Sequence, residues 1–189
     1  MTDQTLMKPI DAIPSVERLE SLSLPDLNDL CDATEVSIRA GGGFGWVDVP
    51  ERDTLERFWN GVMAMPARSL LVVRLDGVIA GACQLVSPPQ NNEAQAMSVN
   101  LTTSFVAPWA RGHGLATMLV QHAEKIARED GFAVINLDVR ETMESAMKLY
   151  EAQGFIRVGM HPYYAKVGDE VLSGYYYYKV INPDVVEAK

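Results

Sequence analysis

The 189-residue chain is 48% hydrophobic and 22% charged, a composition that fits one compact domain over residues 1–189 with a sizeable core. Its 16 basic and 25 acidic residues give a formal net charge of -9 without a long basic run, which argues against a nucleic acid or membrane partner and favours a cationic substrate. Cys31 and Cys83 have no further Cys or His at metal-ligand spacing, so we expect neither a disulfide framework nor a metal. The first residues lack a signal-peptide pattern, which predicts a cytoplasmic protein.

The N-terminal third is predicted to be mainly helical. A short strand is expected over Lys8–Ile13 and a helical segment over Pro14–Leu22. Pro25–Ala40 and Arg52–Met65 are predicted helices, because their apolar residues recur at intervals of three and four. Between them, the Gly-rich segment 41–45 ends the first of these helices and begins a loop.

The middle of the chain is predicted to form antiparallel strands. Ser69–Leu75 and Val78–Val86 are runs of β-branched residues joined by Asp76-Gly77, a dipeptide typical of tight hairpin turns. After a polar loop, Ala94–Val106 is predicted to be a long strand. Four side chains of this strand are expected to share one face: Val99, Leu101, Thr103 and Phe105.

The C-terminal half is predicted to alternate between helices and strands. Gly112–Asp130 has the clearest helical periodicity of the chain, and a buried strand is expected over Val134–Arg140. A second helix, Met143–Gln153, is expected to end at a glycine. Phe155–Met160 and Tyr175–Ile181 are predicted to be the last two strands.

A Gly-rich turn joins the predicted long strand to the strongest helix. Its sequence is Arg111-Gly112-His113-Gly114-Leu115-Ala116. Glycines allow the backbone to approach an anion closely, and the free amides of a first helical turn bind phosphate. The alternative is that the two glycines only shape a turn. The turn lacks the Gly-Lys-Ser/Thr of a Walker loop. It also follows several strands, whereas the Gly-rich turn of a dinucleotide fold follows the first strand.

Residues 111–116 resemble the acyl-CoA signature of the GNAT superfamily, Gln/Arg-x-x-Gly-x-Gly/Ala. Residues 149–155, Leu-Tyr-Glu-Ala-Gln-Gly-Phe, are similar to the family's recurrent Leu-Tyr-x-x-x-Gly-Phe segment. The resemblance implies an α/β (α+β) fold, with a mixed, mostly antiparallel sheet of six or seven strands flanked by about four helices and splayed between the fourth and fifth strands. It divides the domain into acceptor-side helices (14–65), an acyl-CoA core (69–160) and C-terminal strands (155–181).

The resemblance also implies acetyl-CoA as co-substrate, without a metal. It assigns the pyrophosphate to the backbone amides of the turn and helix start, and the pantetheine arm to the backbone of the long strand. Some relatives use an Asn for pantetheine where this chain has Met143, so that side-chain contact is expected to be missing. The residues expected to bind acetyl-CoA are Ser104, Phe105, Val106, Arg111, Gly112, His113, Gly114, Leu115, Ala116 and Thr117.

Acetyl transfer to an amine needs a proton acceptor and an acid for the departing thiolate. The resemblance assigns the acid to Tyr150, although this residue shares an apolar helical face and is alternatively a core aromatic. Asp138 is the preferred base because it lies on the opposite side of its strand from the apolar residues, near the expected splay, whereas Glu93 is expected to be solvated. His122 is expected to be a core histidine.

Two segments are expected to select the acceptor. Residues 40–46 (AGGGFGW) and 159–165 (GMHPYYA) resemble GNAT enzymes of the tabtoxin-resistance type, which acetylate a small amino-acid-like toxin. The candidate acceptor residues are Phe44, Trp46, His161 and Tyr164. The alternative places Phe44 and Trp46 in the core. We therefore predict a small-molecule N-acetyltransferase, with a protein acetyltransferase or a non-catalytic acyl-CoA sensor as alternatives and a homodimer left open.

Overall fold

The computed structural model describes residues 12–42 and 45–186. One seven-stranded sheet forms the centre of the molecule, and helices cover both of its faces. Short 3-10 turns occur at Glu93–Gln95 and Pro108–Ala110. The elements in chain order are β1 (Pro14–Arg18), α1 (Leu24–Arg39), α2 (Arg52–Ala64), β2 (Arg68–Leu75), β3 (Val78–Val86), β4 (Ser98–Val106), α3 (Leu115–Glu129), β5 (Val134–Arg140), α4 (Glu144–Ala152), β6 (Ile156–Val167), β7 (Glu170–Val180) and α5 (Pro183–Val186).

The strand order is β1-β2-β3-β4-β5-β7-β6, and every neighbouring pair is antiparallel except β4 and β5. The parallel pair is joined only at Ser98, Val99 and Asn100, opposite the first residues of β5. Beyond Asn100 the two strands diverge, which confirms the mixed sheet and the splay expected between the fourth and fifth strands. The divergence opens a cleft in the middle of the sheet.

The first strand is not where the sequence placed it. The predicted strand Lys8–Ile13 falls mostly outside the described residues, and the predicted helical segment Pro14–Leu22 is wrong, because its first five residues form β1. Val16 pairs with Val73 of β2, and the amide of Asp76 donates to the carbonyl of Ile13 over 3.0 Å. Backbone pairing to the open edge of β2 outweighs the loose helical spacing of two apolar residues.

Two hydrophobic clusters lie on opposite faces of the sheet. Helices α1 and α2 cover the half made by β2, β3 and the end of β4, with Trp59 completely buried and its indole N–H donating to the Thr34 hydroxyl over 3.1 Å. Helices α3 and α4 cover the other face, where Leu115, Leu119 and Ala123 are buried. The periodicity predicted for all four helices is confirmed by these buried faces, because apolar residues at three- and four-residue spacing pack on the sheet.

A β-bulge in β4 contradicts the prediction that Val99, Leu101, Thr103 and Phe105 share a face. Thr103 has a φ of 54°, and the register with β3 shifts there. The extra residue turns the strand over, so Leu101 packs with α3 whereas Phe105 packs with α1 and α2. Positive φ at a non-glycine residue is strained, and the surrounding sheet holds it in place.

The last hairpin is longer than predicted. β6 continues to Val167, past the predicted end at Met160, and β7 begins at Glu170, before the predicted start at Tyr175. The register between the two strands shifts between His161 and Ala165. The ring of Tyr164 lies against Gly174, where an added Cβ would fall 2.2 Å from the ring. None of the helices in the described ranges is long and apolar enough to span a membrane.

Candidate active site

The splay between β4 and β5 forms a cleft of about 440 Å³. One wall is the end of β4, with Ser104, Phe105 and Val106, and the other is the start of α4. Arg111 and Ala116 line its entrance, and Tyr150 lies among its lining residues. Because β4 pairs with β3 along its other edge, the edge that faces the cleft carries backbone groups with no neighbouring strand beyond Asn100 in the described sheet. Those groups are available to an extended ligand.

The Gly-rich turn at the cleft entrance has the geometry of an anion site. Gly112 and Gly114 adopt φ of 83° and 72°, in the left-handed region that glycine tolerates. The first intrahelical hydrogen bond of α3 runs from the amide of Met118 to the carbonyl of Gly114, over 3.1 Å. The amides of residues 115–117 precede that bond and lie at the positive end of the helix dipole. The turn and the open edge of β4 together fit the pyrophosphate and pantetheine of acetyl-CoA.

Tyr150 is held deep in the cleft. Its side chain is only 6% exposed, and its ring packs edge-on against Phe155 with centroids 5.6 Å apart. Burial raises the pKa of Tyr150 to about 12, and a hydrogen bond with Ser104 opposes this effect. The phenol therefore keeps its proton at physiological pH.

Strand β7 fixes the C-terminal end of α4, the helix that carries Tyr150. The Tyr177 hydroxyl donates to Oε1 of Glu151 over 3.1 Å, and Lys179 Nζ donates to the carbonyl of Gln153 over 2.6 Å. The amide of Phe155 donates to the carbonyl of Tyr150 over 2.9 Å. These contacts lock the helix on the sheet, so the position of the phenol is set by the fold and not by a loop.

A second cavity of about 440 Å³ adjoins the first. It is formed by the loop after α1, the end of β5 and the β6 segment from Tyr164 to Val167. Both cavities are lined by Gly42, Ser104, Met143, Ala146 and Tyr150. The two spaces therefore adjoin at Tyr150 and at the β4 bulge.

Asp138 and Tyr164 form a pair beside the second cavity. The Tyr164 hydroxyl donates to Oδ2 of Asp138. Tyr164 lines the second cavity, whereas Asp138 is exposed and lines a separate cavity beside β7. Burial, followed by the Asp138 carboxylate, raises the pKa of Tyr164 well above its usual range. The carboxylate expected to act as a base is thus connected to the cavity through a phenol.

The other predicted acceptor residues lie elsewhere. Trp46 packs edge-on against Phe58, with centroids 4.8 Å apart, in the cluster beneath α2, and Phe44 is outside the described residues. His161 is exposed, and its Nδ1 accepts from the Tyr163 amide over 3.0 Å. Of the four candidates, the structure brings Tyr164 to the cavity.

Two further residues that the sequence reasoning did not assign to the site also line the second cavity. Arg140 ends β5 and Lys166 is near the end of β6, so the two are distant in sequence and neither belongs to a motif. Among the described residues, no group of three or more His, Cys, Asp and Glu side chains is placed to hold a metal.

The Acetyltransferase (GNAT) family model matches residues 31–155, which contain the splay, the Gly-rich turn and Tyr150. The chain belongs to the GNAT family. This GNAT protein is 60% identical over 128 residues to an uncharacterized N-acetyltransferase of Azospirillum brasilense, covering 68% of this chain and 76% of the relative. It is 30% identical over 105 residues to the aminoglycoside N(6')-acetyltransferase type 1 of Klebsiella aerogenes, covering 55% and 69%.

The fold of this GNAT protein is also that of solved relatives. A putative acetyltransferase from Salmonella typhimurium, solved with its cofactor acetyl-CoA, superimposes with a TM-score of 0.69 at 16% identity, covering 89% of this chain and 94% of that one. Family membership and the cleft together make the chain an acetyl-CoA-dependent acetyltransferase.

Proposed function

We propose that this GNAT enzyme acetylates the amine of a small molecule by direct attack within a ternary complex. The observation that carries the proposal is the meeting of two cavities at Tyr150, since one cavity can hold acetyl-CoA while the other holds the acceptor. A cavity of about 440 Å³ suits a small molecule better than a length of extended peptide. Acetyl-CoA supplies an activated acetyl thioester at the junction.

Tyr150 is proposed as the general acid. Tyr150 lines both cavities, and its hydroxyl keeps its proton because burial raises its pKa to about 12. The phenol is therefore placed to donate to the departing thiolate. The backbone at the β4 bulge, next to Thr103, is the proposed donor to the carbonyl oxygen, because its cleft-facing edge has no strand partner in the described sheet.

Asp138 is proposed as the proton acceptor, acting through Tyr164. Because the pKa of Tyr164 is raised, its phenol releases a proton to the Asp138 carboxylate only while it accepts another proton from the acceptor amine. Tyr164 lines the acceptor cavity and its hydroxyl already donates to Asp138, so one concerted shift would carry the nitrogen's proton out of the cavity.

Initial-rate kinetics test the ternary complex. We expect intersecting double-reciprocal plots when acetyl-CoA and a small amine are varied, with small amines preferred to basic peptides of equal amine concentration.

Both cysteines, Cys31 and Cys83, are completely buried, and burial raises the pKa of each thiol. Brief treatment with iodoacetamide, removed before assay, should therefore leave the rate unchanged.

Parallel plots, or inactivation by iodoacetamide, would indicate an acetyl-enzyme intermediate and contradict direct attack. Acetylation confined to peptides would move the enzyme to the protein-modifying class. Binding of acetyl-CoA without turnover on any amine would indicate a sensor.

Replacing Asp138 by Asn or Tyr164 by Phe should lower kcat/KM by about a hundredfold, because each change breaks the proposed proton path. Binding of acetyl-CoA, measured by calorimetry, should not change. Tyr163→Phe is the matched control, since Tyr163 is the adjacent residue and is 78% exposed. Full activity of the Tyr164→Phe variant alongside a slow Asp138→Asn variant would show that a water, and not Tyr164, carries the proton.

A further inference from the structure

The charge of the acceptor cavity is opposite to that of the whole protein. The chain has a formal net charge of -9. Among the described residues that line the cavity, the formally charged side chains are Arg140 and Lys166, and both are cationic. Two cationic side chains at one cavity of an acidic protein are a local feature that overall composition does not explain.

Arg140 is held in place at the cavity wall. Its backbone pairs with Gly174 at the end of the β5–β7 ladder, and its Nη2 donates to the carbonyl of Gly41 over 3.2 Å. The positive charge of Arg140 acts to lower the pKa of Tyr164, so the guanidinium lies close to that phenol. A planar guanidinium with several donors matches a carboxylate or phosphorus oxyanion in shape and charge.

Lys166 supplies a second positive charge from β6, which β7 separates from β5. It is exposed at the rim, two residues beyond Tyr164, and its backbone pairs with Val171. Arg140 and Lys166 therefore approach the cavity from β5 and β6, while Tyr150 bounds it where it joins the cleft. An acceptor that carries an amine and an anionic group on one small skeleton can place the anion at the two cations and the amine near Tyr150.

We infer that the acceptor is an amine that also carries an anionic group, a carboxylate or phosphorus oxyanion, which binds between Arg140 and Lys166. This inference rests on the proposed function, since it names the substrate class of the same site. It sets the enzyme apart from its aminoglycoside-modifying relative, because a polycation would be repelled by two like charges in the cavity.

The test compares matched acceptors. Amino acids with a free carboxylate, the same compounds as carboxamides, an aminophosphonate and an aminoglycoside are assayed by release of the CoA thiol. We expect kcat/KM to be at least tenfold higher for the acids than for their amides, with no turnover of the aminoglycoside. Comparing the carboxylate with the phosphonate distinguishes the two anion types.

Arg140→Gln and Lys166→Gln should raise KM for the acids by roughly ten- to a hundredfold, leave kcat nearly unchanged and remove the preference for acid over amide. Arg57→Gln and Lys125→Gln are the matched controls, because both residues are exposed on helices and line neither cavity. Since Lys166 is also exposed, its variant should fold even if the Arg140 variant does not.

Equal turnover of acids and amides, or an unchanged preference in the Lys166→Gln variant and a folded Arg140→Gln variant, would overturn the inference and leave the proposed function intact. Absence of turnover on every amine despite acetyl-CoA binding would instead overturn the proposed function.

Discussion

Replacing Tyr150 by Phe is expected to lower kcat by about a hundredfold, which corresponds to about 2.7 kcal/mol of lost transition-state stabilisation. The change removes one hydroxyl at the junction of the two cavities and leaves the ring packed on Phe155. The free energy of unfolding should therefore change by only about 1 kcal/mol. Single-turnover rates and a denaturant titration measure the two effects separately.

Tyr178→Phe is the matched control, because it removes a hydroxyl from a tyrosine outside both cavities. A Tyr150→Phe enzyme with full kcat would show that the thiolate leaves without help from this phenol.

The pH dependence of the free energy of unfolding gives a second readout. Burial raises the pKa of Tyr150 to about 12 in the folded protein, above the ordinary tyrosine value of about 10. Ionisation of Tyr150 therefore removes stability only as pH rises above about 10, and Tyr150→Phe should lose less stability in that range.

Gly81→Ala is expected to lower the free energy of unfolding by about 2 kcal/mol and to weaken acetyl-CoA binding. Gly81 pairs with Val106, and an added Cβ would lie 2.3 Å from the carbonyl oxygen of Phe105. Backbone cannot move aside as a flexible side chain can, so β3 and β4 must separate. Phe105 and Val106 line the cleft, and their displacement changes the edge proposed to receive the pantetheine arm.

Gly61→Ala is the control for this change. Gly61 lies inside α2, and a Cβ there would meet nothing within 4 Å, so alanine should raise stability by about 0.5–1 kcal/mol through its better helix propensity. Thermal unfolding and calorimetric titration with acetyl-CoA provide the measurements. If Gly81→Ala matched the natural protein in both, the close approach of β3 to β4 would not be needed for the fold or the cleft.

The features that were predictable from sequence are local in the chain. The Gly-rich turn, the helix faces and the hairpin at Asp76-Gly77 depend on residues a few positions apart, and the structure confirms the elements that were built on them. The family resemblance added the splay, which no periodicity contains. Tyr150 was assigned in the same way, and the structure brings it to the junction of the cavities.

The features that were missed depend on contacts between distant segments. The positive φ of Thr103 is imposed by the register between two strands, so alternation along β4 alone pointed Phe105 to the wrong face. Strand β1 forms because the edge of β2 is available to it. Arg140 and Lys166 line one cavity although β7 lies between their strands, so no local pattern could indicate that they belong to one site.

The short seam between β4 and β5 has a consequence for how the enzyme resists unfolding. Only three residue pairs join the two parts of the sheet there, starting at Ser98 and Val134. A pantetheine arm lying along β4 would act as a substitute for the missing part of the ladder. Any ligand that binds only the folded state stabilises it in proportion to the logarithm of its concentration. The resistance of this enzyme to proteolysis would then rise and fall with the concentration of CoA and its thioesters in the cell.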